Sequence, residues 1–300
     1  MIEIKNLCKS FDGFQALTDL NLHVREGSIY GLIGVNGSGK TTLIRHLTGI
    51  LRADSGSVVI DGEDAYNNIN IKKRLGYIPD ELFFFGSYSL KEMAKFYKGM
   101  YPTWNQARCD AMTEDFGLSG RGKLSRFSKG MQKQAQFILT MSCMPDFLIL
   151  DEPIDGLDPI VRRKVWNYVV EDVSERNMTV LVSSHNLKEM EGICDSIGIL
   201  SGGQMKIERD LDELKSDIHK VQTAFAHPDD ADKAFADLDI MHRDKNGSVE
   251  HIIVRGNGEM VEHAIRAYNP LIFDMLPLTL EEVFIYEMGG ENHDIHEILA

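Results

Sequence analysis

Apolar positions recur in two rhythms along this 300-residue chain. Up to about residue 214, short and nearly continuous apolar runs at 29–33, 147–150 and 180–182 alternate with stretches whose apolar side chains return every three to four residues. Continuous runs of this length suit strands covered on both faces, as in a parallel sheet clothed by helices. The opening Met1-Ile2-Glu3-Ile4-Lys5 alternates like a further strand. Between 82 and 145 the rhythm turns helical, with Leu90-Lys91-Glu92-Met93-Ala94-Lys95-Phe96-Tyr97 as its clearest stretch, and a helical insert is predicted there.

From about 217 the order changes to strand 221–226, helix 229–238, strand 240–244, strand 249–255, helix 259–268 and strand 271–275. The Lys245-Asn246-Gly247-Ser248 segment between the middle strands is a hairpin signal, so a small ferredoxin-like α+β domain is predicted. A last helix at 280–288 is expected to pack on it, and the acidic tail after Gly290 to fray. The predicted organisation is a domain over 1–216, with a helical subdomain at about 82–145, followed by an accessory domain over 217–300.

Composition narrows the function classes. The chain is 43% hydrophobic and 26% charged, ordinary for a globular protein. Its net charge of -14, with no basic cluster, excludes a nucleic acid as a first partner. Cys8, Cys109, Cys143 and Cys194 lack the spacing of a zinc site or a disulfide framework, and are expected to be small buried thiols in a reducing cytosol. The N-terminus lacks the apolar core of a signal peptide, and no apolar stretch reaches the ~20 residues needed to span a bilayer. A cytoplasmic location is expected, with any membrane contact made through a partner.

Two segments carry chemistry. Gly34-Val35-Asn36-Gly37-Ser38-Gly39-Lys40-Thr41 fits G-x-x-x-x-G-K-[ST] between an apolar strand and the amphipathic stretch that starts at Thr42. Glycines let the backbone N–H groups close around a β-phosphate, and the following helix adds its positive end. Lys40 would reach the β- and γ-phosphates, and the Thr41 hydroxyl would sit on Mg²⁺. Phe147-Leu148-Ile149-Leu150-Asp151-Glu152 then delivers two acids at a strand's C-terminal end. Asp151 would hold Mg²⁺, and Glu152 would polarise the attacking water, a general-base role worth about 10²–10⁴ in rate.

Phe127-Ser128-Lys129-Gly130-Met131-Gln132, some twenty residues before Asp151, resembles the signature of ABC ATPases. Family members commonly read Leu-Ser-Gly-Gly-Gln there, and Lys129 and Met131 depart from that. Pro153-Ile154-Asp155-Gly156-Leu157-Asp158-Pro159 is similar to the family's D-loop, and Thr179-Val180-Leu181-Val182-Ser183-Ser184-His185 to the strand that ends in its switch histidine. The resemblance covers residues 1 to about 214 and is to ABC transporter ATP-binding subunits, in particular bacterial exporter ATPases of the drug-resistance and YtrB-like type.

It implies a P-loop NTPase cassette that binds ATP and Mg²⁺, dimerises, and powers a separate integral membrane permease from the cytoplasmic face. By that resemblance Ser128 and Gly130 contact the γ-phosphate held by the opposite subunit, Asp158 aligns the subunits, His185 steadies the γ-phosphate, and Phe11 lies under adenine. Phe11 as an ordinary core residue stays open, as does the choice between a homodimer and a heterodimer with a related ATPase. Where the family usually has a Gln that touches Mg²⁺, this chain has Asp80, which could coordinate the ion through its carboxylate. Leu82-Phe83-Phe84-Phe85 lies where the family receives the permease, and both docking and core packing remain open for these rings. The competing function is a soluble ABC ATPase in a non-transport role. Its usual members carry two cassettes or a long coiled-coil insertion, and neither is visible here. The 217–300 extension reads equally as a regulatory or dimer-supporting part and as a folding cap.

Overall fold

The computed structural model describes residues 1–119, 122–211, 213 and 217–287, so the acidic stretch after Gly290 lies outside the described residues. The chain forms two compact units, Met1–His185 with Ile193–Glu208, and Asn186–Gly192 with Arg209–Ala300.

In the first unit, β3 (Ile29–Ile33), β6 (Leu75–Ile78), β7 (Phe147–Asp151), β8 (Thr179–Ser184), β9 (Ser196–Ser201) and β10 (Gln204–Asp210) form one sheet in the order β10-β9-β3-β8-β7-β6. Neighbours from β9 through β3, β8 and β7 to β6 run parallel. Every residue of β3, β7 and β8 is buried, which is why these strands are written as continuous apolar runs. Parallel pairing puts their C-terminal ends on one edge, with Ile33 opposite Ser184 and Asp151 opposite Ser183. The chain leaves β3 for the far edge, returns through β7 and β8, and crosses to β9, so strand order switches beside β3. In open α/β sheets the crevice at such a switch point is where ligands bind.

A second, antiparallel sheet orders β2 (Phe14–Val24), β1 (Ile2–Phe11), β4 (Ser55–Ile60) and β5 (Glu63–Asp64). Its first hairpin sets Phe11 opposite Phe14 across Asp12 (φ 48°) and Gly13 (φ 85°), the two left-handed residues that a type I′ turn requires. The core between the sheets takes Leu43, Ile44 and Leu47 from α1 (Lys40–Leu47), Leu32 from β3 and Ile149 from β7. Each fully buried aliphatic side chain contributes about 1.5–3 kcal/mol, so the start of α1 is anchored from below. After α2 (Ile69–Arg74) and β6 come α3 (Leu90–Met100), α4 (Gln106–Asp115) and α5 (Lys129–Ser142), the helices expected for the insert. A capping box starts α3, where Ser89 N–H donates to the Glu92 carboxylate at 2.8 Å and Ser89 Oγ accepts from Glu92 N–H at 3.3 Å. The long helix α6 (Pro159–Arg176) lies between β7 and β8 in the chain.

The second unit holds α7 (Leu187–Met190), β11 (Ile218–Ala224), α8 (Pro228–Phe235), β12 (Asp239–Asn246), β13 (Val249–Arg255), α9 (Gly258–Arg266), β14 (Ile272–Leu276) and α10 (Leu280–Glu287). Its sheet runs β12-β13-β11-β14, antiparallel throughout, which is the ferredoxin-like arrangement. Val221, Phe235, Ile252, Val254, Val261 and Ile265 form its core. The hairpin turns at Gly247 (φ 65°), with Asn246 opposite Val249. Several bounds differ from expectation by one to three residues, the largest shifts being at the start of β11 and the end of α8. β11 starts at Ile218 because its register with β13 continues to Arg255, and α8 stops at Phe235, where a turn takes over as Leu238 N–H donates to the Phe235 carbonyl.

Candidate active site

The cradle sits where β3 gives way to α1. Gly39, the helix N-cap, has φ 110° and offers no side chain, so the first N–H groups of α1 are left for a ligand. A Cβ on Gly39 would lie 2.9 Å from Leu17 Cδ2 and 3.0 Å from the Ala16 carbonyl, so both conformation and space require glycine. Asn36, Gly37, Gly39, Lys40, Thr41 and Thr42 line a cleft of about 330 Å³, together with Phe11, Phe14, Asp80, Asp151 and Glu152. Gly34 and Ser38 are buried and do not line it. Lys40 Nζ donates to the Gly34 carbonyl and lies 3.6 Å from Glu152 Oε1. Burial lowers the Lys40 pKa, and Glu152 and Asp151 oppose that shift.

Asp151 is 4% exposed and accepts a 2.6 Å hydrogen bond from Ser183 Oγ. Glu152, the next residue, has φ 47°, a left-handed conformation that turns its side chain out of the strand's alternation and into the cleft. Its Oε2 lies 3.0 Å from His185 Nδ1, while Oε1 is buried with no hydrogen-bond partner and faces Lys40 through charge alone. Burial raises the Glu152 pKa above the ordinary carboxylate value, against the pull of Lys40 and His185. A buried base with a lifted pKa is suited to taking a proton from water.

Not every expected residue meets in this cleft. Ser128 caps α5, accepting from Met131 N–H at 3.2 Å, and neither it nor Gly130 lines the cleft. Asp158 Oδ1 caps α6 by accepting from the N–H groups of Ile160 and Val161, both at 3.0 Å. Asp80 lines the cleft from the end of β6 and also lies 3.6 Å from Lys133 Nζ. Among the described residues, Glu152, Asp155 and His185 bring their ligand atoms within 4.8 Å of one another, while Asp80 and Asp151 line the cleft with Thr41. The cysteines are in no disulfide, with Cys8 half-buried rather than buried. Sequence reasoning missed Phe14, Ser183 and Lys133. Phe14 alone carried a signal, as the second aromatic flanking the Asp12-Gly13 turn.

The donors fit a nucleotide with a hard cation. In the cleft Glu152 Oε1 is buried with no hydrogen-bond partner within the protein, and the Thr41 hydroxyl with the Asp151 and Asp80 carboxylates offers only oxygen ligands. The ABC transporter family model matches residues 17–155. The ABC transporter ATP-binding protein YtrB of Bacillus subtilis (strain 168) is 33% identical over 97% of this chain and 99% of its own. The chain belongs to the ABC transporter ATP-binding proteins. The bacitracin transport ATP-binding protein BcrA of Bacillus licheniformis is 33% identical over 72% of this chain and 71% of its own. A solved ATP-binding subunit of an ABC transporter superposes with a TM-score of 0.67 at 27% identity, covering 72% of this chain and 92% of that one. The dimeric post-hydrolysis structure of the cassette MJ0796 with ADP and Pi gives 0.64 at 21% identity, over 70% and 99%, a likeness of fold. As an ABC ATP-binding protein the chain binds and hydrolyses ATP, in a family whose members dimerise and work with membrane permeases. Among the described residues no helix is long and apolar enough to cross a membrane.

Proposed function

We propose that two copies of this ABC ATP-binding protein close on two ATP molecules, each cradle facing Ser128 and Gly130 of the second copy, and that closure and reopening drive a separate permease at the cytoplasmic face of the membrane. The observation that carries this reading is the convergence of Lys40, Asp151, Glu152 and His185 on one edge of the parallel sheet, while Ser128 caps a helix outside the cleft. The cassette is read as 1–216, with its helical subdomain at about 82–145, and the accessory domain as 217–300.

Within the cleft, backbone N–H groups of 36–41 hold the β-phosphate, Lys40 balances its charge, and Phe11 and Phe14 receive adenine. Thr41, Asp151 and Asp80 would hold Mg²⁺, which when bound neutralises phosphate charge. Glu152 takes the proton of the attacking water, and His185, beside it, orients the carboxylate and meets the γ-phosphate. Hydrolysis removes the contacts that favour the closed state, so the equilibrium shifts back to the open one.

Permease docking is supported by a groove of about 440 Å³ whose lining includes Ile50, Ile69, Tyr77, Tyr97, Met100 and Tyr101. Phe83, 78% exposed in an aromatic cluster with Phe85, is available to be covered. The name of the bacitracin transport relative supports transport as the output, and export is our reading of its direction. Glu152→Gln tests the core of the reading. It should lower turnover by about 10²-fold or more and leave an ATP-loaded dimer by sizing in ATP·Mg²⁺. Turnover at the parental rate would overturn Glu152 as the base.

A further inference from the structure

Lys133 stands in the second turn of α5, downstream of the Ser128 cap. Its side chain is 13% exposed, its Nζ donates to the backbone carbonyl of Glu152 at 2.8 Å, and the same Nζ lies 3.6 Å from Asp80 Oδ1. One ammonium therefore joins the helix that carries Ser128, the residue read as the base, and the acid at the end of β6.

That carbonyl belongs to a strained residue. A side chain beyond glycine at φ 47° costs on the order of 1–3 kcal/mol and persists only where its surroundings hold it. The peptide on the N-terminal side of Glu152 is held by long contacts, its N–H reaching the Ser183 carbonyl at 3.3 Å and Ser183 Oγ at 3.2 Å. The peptide on the C-terminal side leads into Pro153, which has no N–H to donate, and its carbonyl is held by the short, charge-assisted bond from Lys133. The direction of the Glu152 side chain follows from these two planes, and Lys133 sets the second.

We propose that Lys133 is a positioning residue for hydrolysis. It fixes the Glu152–Pro153 peptide so that the Glu152 carboxylate stays aimed into the cleft, and because it is carried on α5 it makes that aim depend on the stance of the helix capped by Ser128. Asp80 supplies the counter-charge that keeps the ammonium in place. The inference rests on Glu152 acting as the base.

The test is steady-state ATP hydrolysis by the full chain carrying Lys133→Met, Lys133→Arg, Glu152→Gln, and the Lys133→Met/Glu152→Gln pair. Losing one charge-assisted hydrogen bond should lower kcat roughly tenfold in Lys133→Met, with KM for ATP changed by less than about twofold and Lys133→Arg recovering most of the loss. Added to Glu152→Gln, Lys133→Met should lower kcat no further, since both act through one carboxylate. Parental kcat in Lys133→Met, no recovery by Lys133→Arg, or a further tenfold loss in the pair would each overturn the positioning role. A Glu152→Gln protein at the parental rate would instead remove the base assignment. A stalled Glu152→Gln beside a parental Lys133→Met removes only Lys133. Should Lys133→Met fail to fold, Lys133→Gln carries the same test.

Discussion

Replacing Ser183 by Ala removes one oxygen from the middle of the site and almost nothing else. Ser183 is fully buried at the end of β8, its Oγ donates to Asp151 Oδ1 at 2.6 Å, and it accepts from Glu152 N–H at 3.2 Å. Asp151 is itself 4% exposed, so water cannot easily take over the lost donor. A hydrogen bond to a charged group contributes about 1.5–3 kcal/mol, and leaving a buried acceptor short of a partner costs in that range. Alanine keeps the Cβ and opens no cavity larger than one oxygen, so a packing penalty adds little. The expected loss for the nucleotide-free protein is about 2 kcal/mol. For chains of about 150–250 residues, 1 kcal/mol moves the melting midpoint by roughly 2–4 °C, which gives a fall of about 4–8 °C in the cassette transition. Calorimetry of parent and variant under one set of conditions reads it. ATP turnover should fall about tenfold alongside, because Asp151 loses its orienting donor and the Glu152 amide keeps only the Ser183 carbonyl at 3.3 Å. A midpoint within about 1 °C of the parent would mean that this hydrogen bond does not exist in solution, and the account of how β8 orients both acids would fall with it.

Three further outcomes follow from other parts of the structure. Burial lifts the Glu152 pKa while Lys40 and His185 pull it down, and the base works only when ionised, so kcat should fall as pH drops through that lifted value. His185→Ala removes one downward pull and should shift the acid limb of the kcat profile to higher pH; an unmoved limb would count against the pairing. Phe14→Ala should raise KM for ATP by about fivefold or more, from the ~1–3 kcal/mol of a base–aromatic contact, and a parental KM would return Phe14 to the role of a surface aromatic. In the second unit burial pushes the Glu250 carboxyl upward, but Arg243 at 2.6 Å and Lys245 at 3.3 Å outweigh it and hold the pKa below the ordinary value. A depressed folded pKa stabilises above the unfolded one and is lost as pH falls through the folded value. Glu250→Gln should therefore lower the melting midpoint of that unit at neutral pH and flatten its acid dependence, and an unchanged pH slope would refute the linkage.

Much of this site was legible because of how a parallel sheet writes itself. Strands covered on both faces become continuous apolar runs, and the first polar residues after each run are those the sheet delivers to its C-terminal edge. Asp151 and Glu152 at the end of β7 were found in this way, Gly34 to Thr41 after β3 with the help of their G-x-x-x-x-G-K-[ST] spacing, and His185 after β8 through the family resemblance. The residues that escaped depend on distance in space rather than spacing in sequence. Ser183 is a small polar residue in an apolar strand until the β7–β8 register sets it opposite Asp151. Lys133 occupies a polar position on a helix and meets Glu152 only because α5 passes over the end of β7. The C-terminal hairpin was legible from Asn246-Gly247, while the ends of β11 and α8 were set by cross-strand register and a turn that no local pattern announces.

The placement of Ser128 completes the argument for a site shared between copies. The cleft gathers its cation and its acids from a single chain at one sheet edge, with His185 beside Glu152 rather than in the lining, and Lys40 approaches the phosphate position from the cradle side. Nothing on that chain's α5 lines the same cleft, although α5 begins with an exposed Ser128 and its first-turn N–H groups form the kind of helix end that binds anions. Gly130 lies where α5 approaches the loop after β7 so closely that a Cβ would come 3.3 Å from the Gly156 carbonyl, which ties this helix end to the segment containing Asp155 and Asp158. In the dimer proposed above, a two-fold axis would set the Ser128 end of each α5 against the cradle of the other copy and generate two equivalent sites.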